Sequence, residues 1–197
     1  MENEISRPLA SEIANSAALK GLRTAGVIVA GSALVAMSSH IALPLWFTPV
    51  PLTLQPFAVL LLGLLLTPRL AAATLAAYLL EGAAGLPVFA PGLAFGAGIA
   101  HLLGPTGGYL MSYPAAGALI AALWRRSGRG FAAALASAAA GNAVILLCGF
   151  AWLAAWTHAP LKTAFALAVL PFLPGDALKV AAAAAVARAV GRARRRK

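Results

Sequence analysis

The sequence has few charged residues. Only 10% of its 197 residues are charged, whereas soluble domains carry about 25%, and Asp and Glu together number five. Hydrophobic residues make up 61% of the chain, and the mean hydropathy is +0.88. This composition excludes an ordinary soluble domain and predicts an integral membrane protein.

Residues that support catalysis are also scarce. The single cysteine, Cys148, excludes a disulfide framework, and the three histidines show no metal-ligand spacing. The sequence contains no Gly-x-x-x-x-Gly-Lys-Ser/Thr motif for binding nucleotide phosphates, and no histidine has a Ser or Cys partner that can be placed beside it. We therefore expect no enzyme, no metal, no cofactor and no ATP hydrolysis by this chain.

Six apolar segments predict helices in a bilayer, where about 20 residues span the apolar core. The segments are residues 22–43, 55–66, 70–85, 109–124, 131–156 and 172–190. Residues 161–170 form a further apolar piece, which Pro171 and Pro174 end, so we expect a short helix there at the outer surface. The predicted fold class is an all-α membrane protein with six transmembrane helices.

Proline and glycine interrupt two connections that we place on the outer side. Residues 44–54 contain Pro44, Pro49 and Pro51, and residues 85–108 contain three further prolines and seven glycines. Irregular backbone at membrane depth is tolerated only where protein buries it or where it lines a cavity. These broken segments therefore point to a binding site.

Basic residues lie mostly on one side of the predicted helices. Thirteen of the fifteen Lys and Arg fall on that side, six of them within the last ten residues, whereas the other side holds only Lys162. Because such an excess marks the cytoplasmic side, we predict cytoplasmic N- and C-termini in a cell (inner) membrane. The predicted parts are a cytoplasmic leader at 1–20, the six-helix domain at 21–191 and a basic tail at 192–197. No aromatic residues interleave the tail, so we expect it to meet membrane lipid and no nucleic acid.

An acid and a base lie close together in this poorly charged chain. Beyond residue 20 the only acids are Glu81 and Asp176, and Lys179 follows Asp176 at i+3, on the same helix face. An ionisable residue inside a membrane segment is a functional-site hypothesis. The pair can offer an acceptor and a cationic donor to a cyclic urea or amide. The alternative is a local role, with Asp176 capping the helix and Lys179 pairing with it or reaching the interface.

A few other side chains are candidates for the same site. Gln55 begins the second predicted helix and Asn142 lies in the middle of the fifth, so each either lines a cavity or links helices. A flat heterocycle needs an aromatic wall, and Phe89 and Tyr109 flank the second broken segment. Aromatic residues at a membrane face more commonly anchor it. We interpret His101 as a histidine that links helices.

Small residues recur at four-residue spacing, which lets helices in lipid approach closely. Gly26 and Ala30 form one such pair in the first apolar segment, and Ala133, Ser137 and Gly141 continue the pattern in the fifth. Packing inside the bundle is one interpretation. The other is that the first helix presents a small-residue face to another membrane subunit.

Three blocks of sequence together resemble the BioY family. They are Pro49-Val-Pro-Leu-Thr-Leu-Gln55, Gly85-Leu-Pro-Val-Phe89 with Leu103-Gly-Pro-Thr-Gly-Gly-Tyr-Leu110, and Pro171-Phe-Leu-Pro-Gly-Asp-Ala-Leu-Lys179. The resemblance runs from about residue 34 to residue 190. It implies a biotin-binding membrane subunit, the S component of an energy-coupling factor (ECF) transporter, which works with a transmembrane coupling subunit and ATPase subunits.

The resemblance also implies a set of site residues. Asp176 and Lys179 match the Asp and Lys that contact biotin in the family, and Gly26 with Ala30 is the nearest match to the face that meets the coupling subunit. The predicted substrate-binding residues are Asp176, Lys179, Gln55, Phe89, Tyr109, Gly107 and Gly108. The alternative function is a self-sufficient secondary carrier, although the paired half-repeats common in such carriers are not evident.

Overall fold

The protein is described by a computed structural model that covers residues 6–91, 97–128 and 130–195. Along these residues the chain forms eight helices and one two-stranded antiparallel ribbon. The helices are α1 (Ser6–His40), α2 (Gln55–Leu65), α3 (Pro68–Ala83), α4 (Ile99–Leu102), α5 (Gly107–Arg126), α6 (Phe131–Thr157), α7 (Leu161–Ala168) and α8 (Leu173–Arg195). The ribbon pairs β1 (Ala42–Leu43) with β2 (Leu52–Thr53).

The predicted apolar segments all fall on helices, which correspond in order to α1, α2, α3, α5, α6 and α8. Two stretches of the described chain, Ala18–His40 and Phe131–Thr157, are each long and apolar enough to cross a membrane. The bent pair Leu161–Ala168 and Leu173–Ala193, with a bend of 48°, adds a third crossing if it forms one span. The mainly helical membrane fold is therefore confirmed, and the number of six spans stays a prediction.

Local sequence signals explain several helix boundaries. The Thr67 hydroxyl accepts a hydrogen bond from the Leu70 backbone N–H at 3.3 Å, and Pro68 occupies the first position of α3, where a missing N–H costs nothing. Pro56 occupies the equivalent first turn of α2. At the end of α6, His158 adopts a left-handed backbone conformation with φ of 54°, which terminates the helix.

The predicted terminal regions continue as helix. α1 begins at Ser6 and runs to His40 without a break, so no helix end marks the expected boundary at residue 20. α8 likewise runs to Arg195, into the predicted basic tail. Residues 1–5 of the predicted leader and 196–197 of the predicted tail lie outside the described residues. The division into leader, membrane domain and tail stays a prediction.

The ribbon was not expected from the sequence. Ala42 pairs with Thr53 and Leu43 with Leu52, so the proline-containing connection between α1 and α2 folds back on itself as a hairpin. The prediction of an all-α chain was wrong in this detail. Two residues per strand give no period-two pattern long enough to detect. The hairpin closes one end of the helix bundle and brings residues 50–56 next to the start of α8, where Leu52 approaches Gly175.

Small residues allow the helices to pack closely. α5 lies along α6 and α3, and α2 lies against α8 and α5. A Cβ atom added to Gly63 would fall 2.8 Å from Ile120 Cβ, and one added to Gly141 would overlap the end of the same isoleucine. At Gly141 the structure therefore supports the interpretation that small residues pack the bundle interior.

Candidate functional site

A cavity opens at one end of the bundle, where the hairpin meets the first turns of α2, α5 and α8. It has an empty volume of about 520 Å³, counting the space at its mouth. The lining residues are Val50, Pro51, Thr53, Gln55, Pro56, Ala90, His101, Thr106, Tyr109, Leu110, Tyr113, Ile145, Leu146, Phe172, Asp176 and Lys179.

Asp176 and Lys179 form an ion pair in the wall of this cavity. Lys179 Nζ donates to Asp176 Oδ1 at 2.9 Å, and the two side chains are only 10% and 5% exposed, for Lys179 and Asp176 respectively. Asn142 of α6 donates from Nδ2 to the other carboxylate oxygen, Oδ2, at 3.2 Å. The local ion pair expected from the i+3 spacing is therefore present. Both residues nevertheless line the cavity, so pairing does not remove them from contact with a ligand.

The chain places the acid in the first turn of α8. Phe172 and the two flanking prolines precede it, and the Asp176 backbone N–H donates to the Phe172 carbonyl at 2.8 Å, so Asp176 is already inside the helical hydrogen-bonding pattern. Its carboxylate oxygens accept from Lys179 and Asn142, which are side chains. The positive end of the helix dipole favours the carboxylate at this position. A classical cap, with a side-chain oxygen on a backbone N–H, is not among the hydrogen bonds of the described residues.

Gln55 also lines the cavity and is held by three hydrogen bonds. Its Oε1 accepts from the Thr53 hydroxyl at 3.1 Å, its backbone N–H donates to the same hydroxyl at 3.3 Å, and its Nε2 donates to the Tyr78 hydroxyl. Tyr78 in turn donates to the Val88 carbonyl at 3.0 Å. Gln55 therefore lines the cavity and also links α2 to α3. The sequence offered these two roles as alternatives, and the structure shows both.

Tyr109 lines the cavity from the first turn of α5. Its hydroxyl donates to the Ala168 carbonyl at 2.6 Å, which ties α5 to the end of α7. Its ring lies 6.1 Å from the Phe172 ring, and both rings line the cavity. Aromatic side chains from α5 and from the start of α8 thus form one wall, as a flat ligand requires.

Phe89 lies behind the cavity lining. Its ring stacks on His101 at 4.8 Å with an interplanar angle of 23°, and it meets Tyr78 edge-on at 5.5 Å. The ring also abuts Gly82 of α3, where an added Cβ would overlap it. Phe89 therefore supports His101, which does line the cavity. Nothing in the sequence favoured His101 over Phe89, because no regular periodicity in this broken segment predicts which side chain faces the cavity.

Gly107 and Gly108 also lie outside the lining. A Cβ on Gly108 would fall 2.5 Å from the Cys148 carbonyl oxygen and would overlap Trp152, and one on Gly107 would overlap the Leu102 carbonyl oxygen. These glycines let α5 start directly against α6. Trp152 fixes the same junction, because its Nε1–H donates to the Gly104 carbonyl at 2.8 Å.

Two polar residues near the cavity were not in the predicted set. Thr106 lines it with a buried hydroxyl that has no hydrogen-bond partner among the described residues. The Oδ1 of Asn142 is also buried and also has no hydrogen-bond partner among the described residues, although its Nδ2 donates to Asp176. The sequence indicated Asn142 as a polar residue in the middle of an apolar helix, but nothing in it tied that amide to Asp176. Buried polar atoms without partners are unusual and suit a ligand or water.

Gly26 and Ala30 lie far from this cavity on an exposed face of α1. No atom lies within 4 Å of a Cβ added to Gly26, and residues 21–27 are all exposed. This face of α1 is therefore open in the isolated chain.

Across the described residues, no group of three or more His, Cys, Asp and Glu side chains lies close enough to hold a metal ion.

The fold and the cavity together define a class of protein. Long apolar helices surround a cavity lined by aromatic and polar side chains, and an acid-base pair lies in its wall. This combination is typical of a multi-pass membrane protein that binds a small polar molecule.

The chain belongs to the BioY family, whose sequence model matches residues 10–196. The chain is 47% identical over 139 residues to the probable biotin transporter BioY of Pyrococcus horikoshii, which covers 71% of this chain and 79% of that protein. It is 37% identical over 156 residues to the biotin transporter BioY of Thermotoga maritima, covering 79% and 88%. Because members of this family are transporter components, the chain is not an enzyme.

A solved structure has a similar fold. The S-component for biotin from an ECF-type ABC transporter superimposes with a TM-score of 0.80, covering 88% of this chain and 93% of that one. The two sequences are 24% identical, so this likeness concerns the fold. The match of the family model to residues 10–196 confirms the resemblance of the three sequence blocks to this family.

Proposed function

We propose that this chain is the biotin-binding S component of an ECF-type vitamin transporter. It belongs to the BioY family, and the relatives from Pyrococcus horikoshii and Thermotoga maritima are named as biotin transporters. The fold matches that of an S-component for biotin. The proposed role is to capture biotin at the outer face and to release it inward with the help of partner subunits.

The observation that carries the proposal is the buried ion pair in the cavity wall. Biotin carries a cyclic urea, whose N–H groups donate and whose carbonyl accepts, and a chain that ends in a carboxylate. Asp176 is an acceptor for N–H groups, and Lys179 is a cationic donor for a carbonyl or carboxylate oxygen. Charge-assisted hydrogen bonds in a desolvated cavity are both strong and selective.

Other lining groups complete the proposed site. Tyr109, Tyr113 and Phe172 offer aromatic faces to a flat bicyclic ring. Gln55 and the unpaired Thr106 hydroxyl offer further polar contacts. Phe89, Gly107 and Gly108 then act indirectly, since each holds a lining element in position without reaching the cavity.

The proposed topology has six membrane spans with both termini in the cytoplasm. The thirteen basic residues on one side and the single Lys162 on the other support this orientation in the inner membrane. In this arrangement the leader at 1–20 and the tail at 192–197 are cytoplasmic, and the cavity faces outward. α2, with 11 residues, is about 16 Å long, so it crosses only together with the adjoining hairpin.

The proposed partners are an ECF transmembrane coupling subunit and ATPase subunits. The open face of α1 around Gly26 and Ala30 supports a contact with the coupling subunit, because small residues allow another membrane helix to approach closely. The absence of a nucleotide-binding motif in the sequence agrees with a need for separate ATPases.

Binding of radiolabelled biotin to the purified protein tests the proposal. We expect Asp176→Asn and Lys179→Gln each to weaken binding by at least tenfold, because each variant removes a charge from the cavity wall. Glu81→Gln is the matched control, since Glu81 accepts a hydrogen bond from Ser32 at 2.9 Å and does not line the cavity. Unchanged affinity in both site variants would contradict the assignment.

Uptake in cells distinguishes the two transport classes. An S component should accumulate biotin only when the coupling subunit and ATPases are present, and Gly26→Leu should reduce that uptake without changing binding to the purified chain. Full uptake in cells lacking every coupling subunit would favour the self-sufficient carrier instead.

A further inference from the structure

A second groove lies at the end of the bundle opposite the cavity. α2, α5 and α8 each begin at the cavity and end at this groove. Its empty volume is about 1,240 Å³, counting its open mouth. The groove is lined by Leu64, Leu65, Leu66, Trp124, Arg125, Gly128, Ala187, Arg188, Val190, Gly191 and Arg192. We call it the basic groove.

Three arginines give the basic groove its charge. Arg188 and Arg192 are one helical turn apart on α8, so they share a face, and Arg125 joins them from the end of α5. All three are exposed. In the part of the chain whose side chains are described, none of them has an ion-pair partner.

Among the residues whose side chains are described, no carboxylate pairs with these arginines. The only acids among residues 18–193 are Glu81 and Asp176. Asp176 is bonded to Lys179 and lies about 18 Å along α8 from Arg188, and Glu81 accepts from Ser32 on α1. The three positive charges of the groove are therefore not balanced by any carboxylate among the side chains that the structure describes, and they are available to an anionic ligand.

The remaining lining defines what kind of anion fits. Leu64 is buried, Leu65 and Leu66 are half-buried, and Trp124 stands beside the arginines. An apolar floor next to a cationic rim matches an amphipathic molecule with an anionic head and an apolar tail. Tryptophan is also the residue typical of the level of lipid head groups. A small inorganic anion would use the arginines but would leave the leucines without a contact.

We infer that the basic groove binds the phosphate head group of an anionic phospholipid, with an acyl chain against Leu64, Leu65 and Leu66. The guanidinium groups of Arg125, Arg188 and Arg192 donate to the phosphate oxygens, a geometry for which arginine is well suited. Basic pockets between membrane helices are a known kind of lipid head-group site. This site is separate from the cavity, and its test does not depend on biotin.

Native mass spectrometry of the full chain in detergent tests the inference. The protein is titrated with phosphatidylglycerol, which carries a net negative charge, and with phosphatidylcholine, which does not. We expect phosphatidylglycerol to stay bound at collision energies that remove phosphatidylcholine. Arg125→Gln/Arg188→Gln/Arg192→Gln should lower the retained phosphatidylglycerol by roughly tenfold or more, because each arginine near a lipid surface contributes several-fold in affinity.

A matched control removes the same charge elsewhere. Lys20→Gln/Arg23→Gln/Arg69→Gln also loses three positive charges, at exposed positions outside the groove, and should retain phosphatidylglycerol like the wild type. Arg125→Lys/Arg188→Lys/Arg192→Lys, which keeps the three positive charges, should keep much of the binding. If the triple glutamine variant does not fold, Arg188→Gln alone should show a partial loss.

Three results would overturn the inference. One is equal loss of lipid in the groove variant and in the control variant. Another is equal retention of phosphatidylcholine and phosphatidylglycerol by the wild type. The third is displacement of the lipid by inorganic phosphate or glycerol phosphate at matched concentration, which would make the groove a site for soluble phosphate.

Discussion

Lys179 donates a hydrogen bond to Asp176 at 2.9 Å from one turn further along α8, inside the wall of the cavity. The two charges neutralise each other, so together they add polar groups but no net charge to the cavity wall. Asn142 holds the carboxylate from the α6 side. The acid is therefore fixed from two helices before any ligand arrives, which lowers the entropy lost on binding.

Breaking this pair should cost more stability than replacing it. Lys179→Met leaves the Asp176 carboxylate buried beside an apolar chain, and loss of one partner of a buried ion pair costs about 3–5 kcal/mol. Asp176→Asn/Lys179→Met removes both charges at similar volume, so we expect it to recover most of that loss. Thermal unfolding of the ligand-free protein in detergent measures both.

The comparison has its own control in Lys162→Met. Lys162 is an exposed residue on α7, so its substitution should leave the unfolding temperature unchanged. If the double variant at 176 and 179 were less stable than Lys179→Met alone, the pair would not be an isolated unit of charge compensation.

Asn142 should matter through Asp176. Asn142→Leu removes the donor to Oδ2, and hydrogen bonds between membrane helices contribute about 0.6–1.7 kcal/mol. Asn142→Asp should do more harm, because it replaces that donor with a second carboxylate next to the first. We expect stability and biotin affinity to be highest in the wild type, lower in Asn142→Leu and lowest in Asn142→Asp. Thermal unfolding measures the stability, and labelled-biotin binding measures the affinity.

Ser137→Ala on the same helix is the matched control for Asn142. The Ser137 hydroxyl donates to the Ala133 carbonyl in its own helix at 2.8 Å, so its loss removes no hydrogen bond of the described residues that joins two helices. A fall in affinity for Ser137→Ala as large as that for Asn142→Leu would show that the effect is general to α6.

Much of the fold and part of the site follow from local sequence. Apolar runs locate the helices, and prolines locate the breaks. The Asp176–Lys179 pair was predictable because the i+3 spacing alone places both side chains on one helix face, and because other acids are scarce. Gln55 and Tyr109 were predictable for a similar reason, since each starts a helix beside a broken segment.

The rest of the site depends on contacts between residues distant in sequence. Asn142 and Asp176 are 34 residues apart, and no local pattern pairs an amide with a chosen acid. Phe89 and His101 stack on each other, yet only His101 lines the cavity. Gly107 and Gly108 belong to one of the sequence blocks that resemble the family. Their backbone lies so close to Leu102 and Trp152 that a side chain would not fit, so their role is in packing.

Two glycines should respond in opposite ways to the same substitution. At Gly108 an added Cβ would overlap Trp152 and fall 2.5 Å from the Cys148 carbonyl oxygen, so Gly108→Ala should destabilise the protein by about 1–3 kcal/mol. At Gly26 no atom lies within 4 Å, so Gly26→Ala should be neutral or stabilise α1 by up to about 1 kcal/mol. Unfolding temperatures in detergent give the comparison, and a stable Gly108→Ala would contradict the close packing of α5 on α6.

Tyr78 should control the position of Gln55 without touching the cavity. Its hydroxyl accepts from Gln55 Nε2 and donates to the Val88 carbonyl at 3.0 Å, so Tyr78→Phe leaves a buried amide and a backbone carbonyl with one partner fewer. An unpaired buried polar group costs about 1–3 kcal/mol. The Val88 carbonyl keeps a hydrogen bond from Ser39 at 2.8 Å, so the loss should fall mainly on Gln55.

This difference between partners makes the prediction specific. Tyr78→Phe should weaken biotin binding about as much as Gln55→Leu. Tyr78→Phe/Gln55→Leu should bind biotin as well as either single variant, because both substitutions remove the same hydrogen bond between Gln55 and Tyr78. Ser39→Ala, which removes the other donor to the Val88 carbonyl, should weaken binding less than Tyr78→Phe, because Gln55 keeps its hydrogen bond to Tyr78. Additive losses in the double variant, measured with labelled biotin on the purified protein, would show that Tyr78 acts on the site by a route other than Gln55.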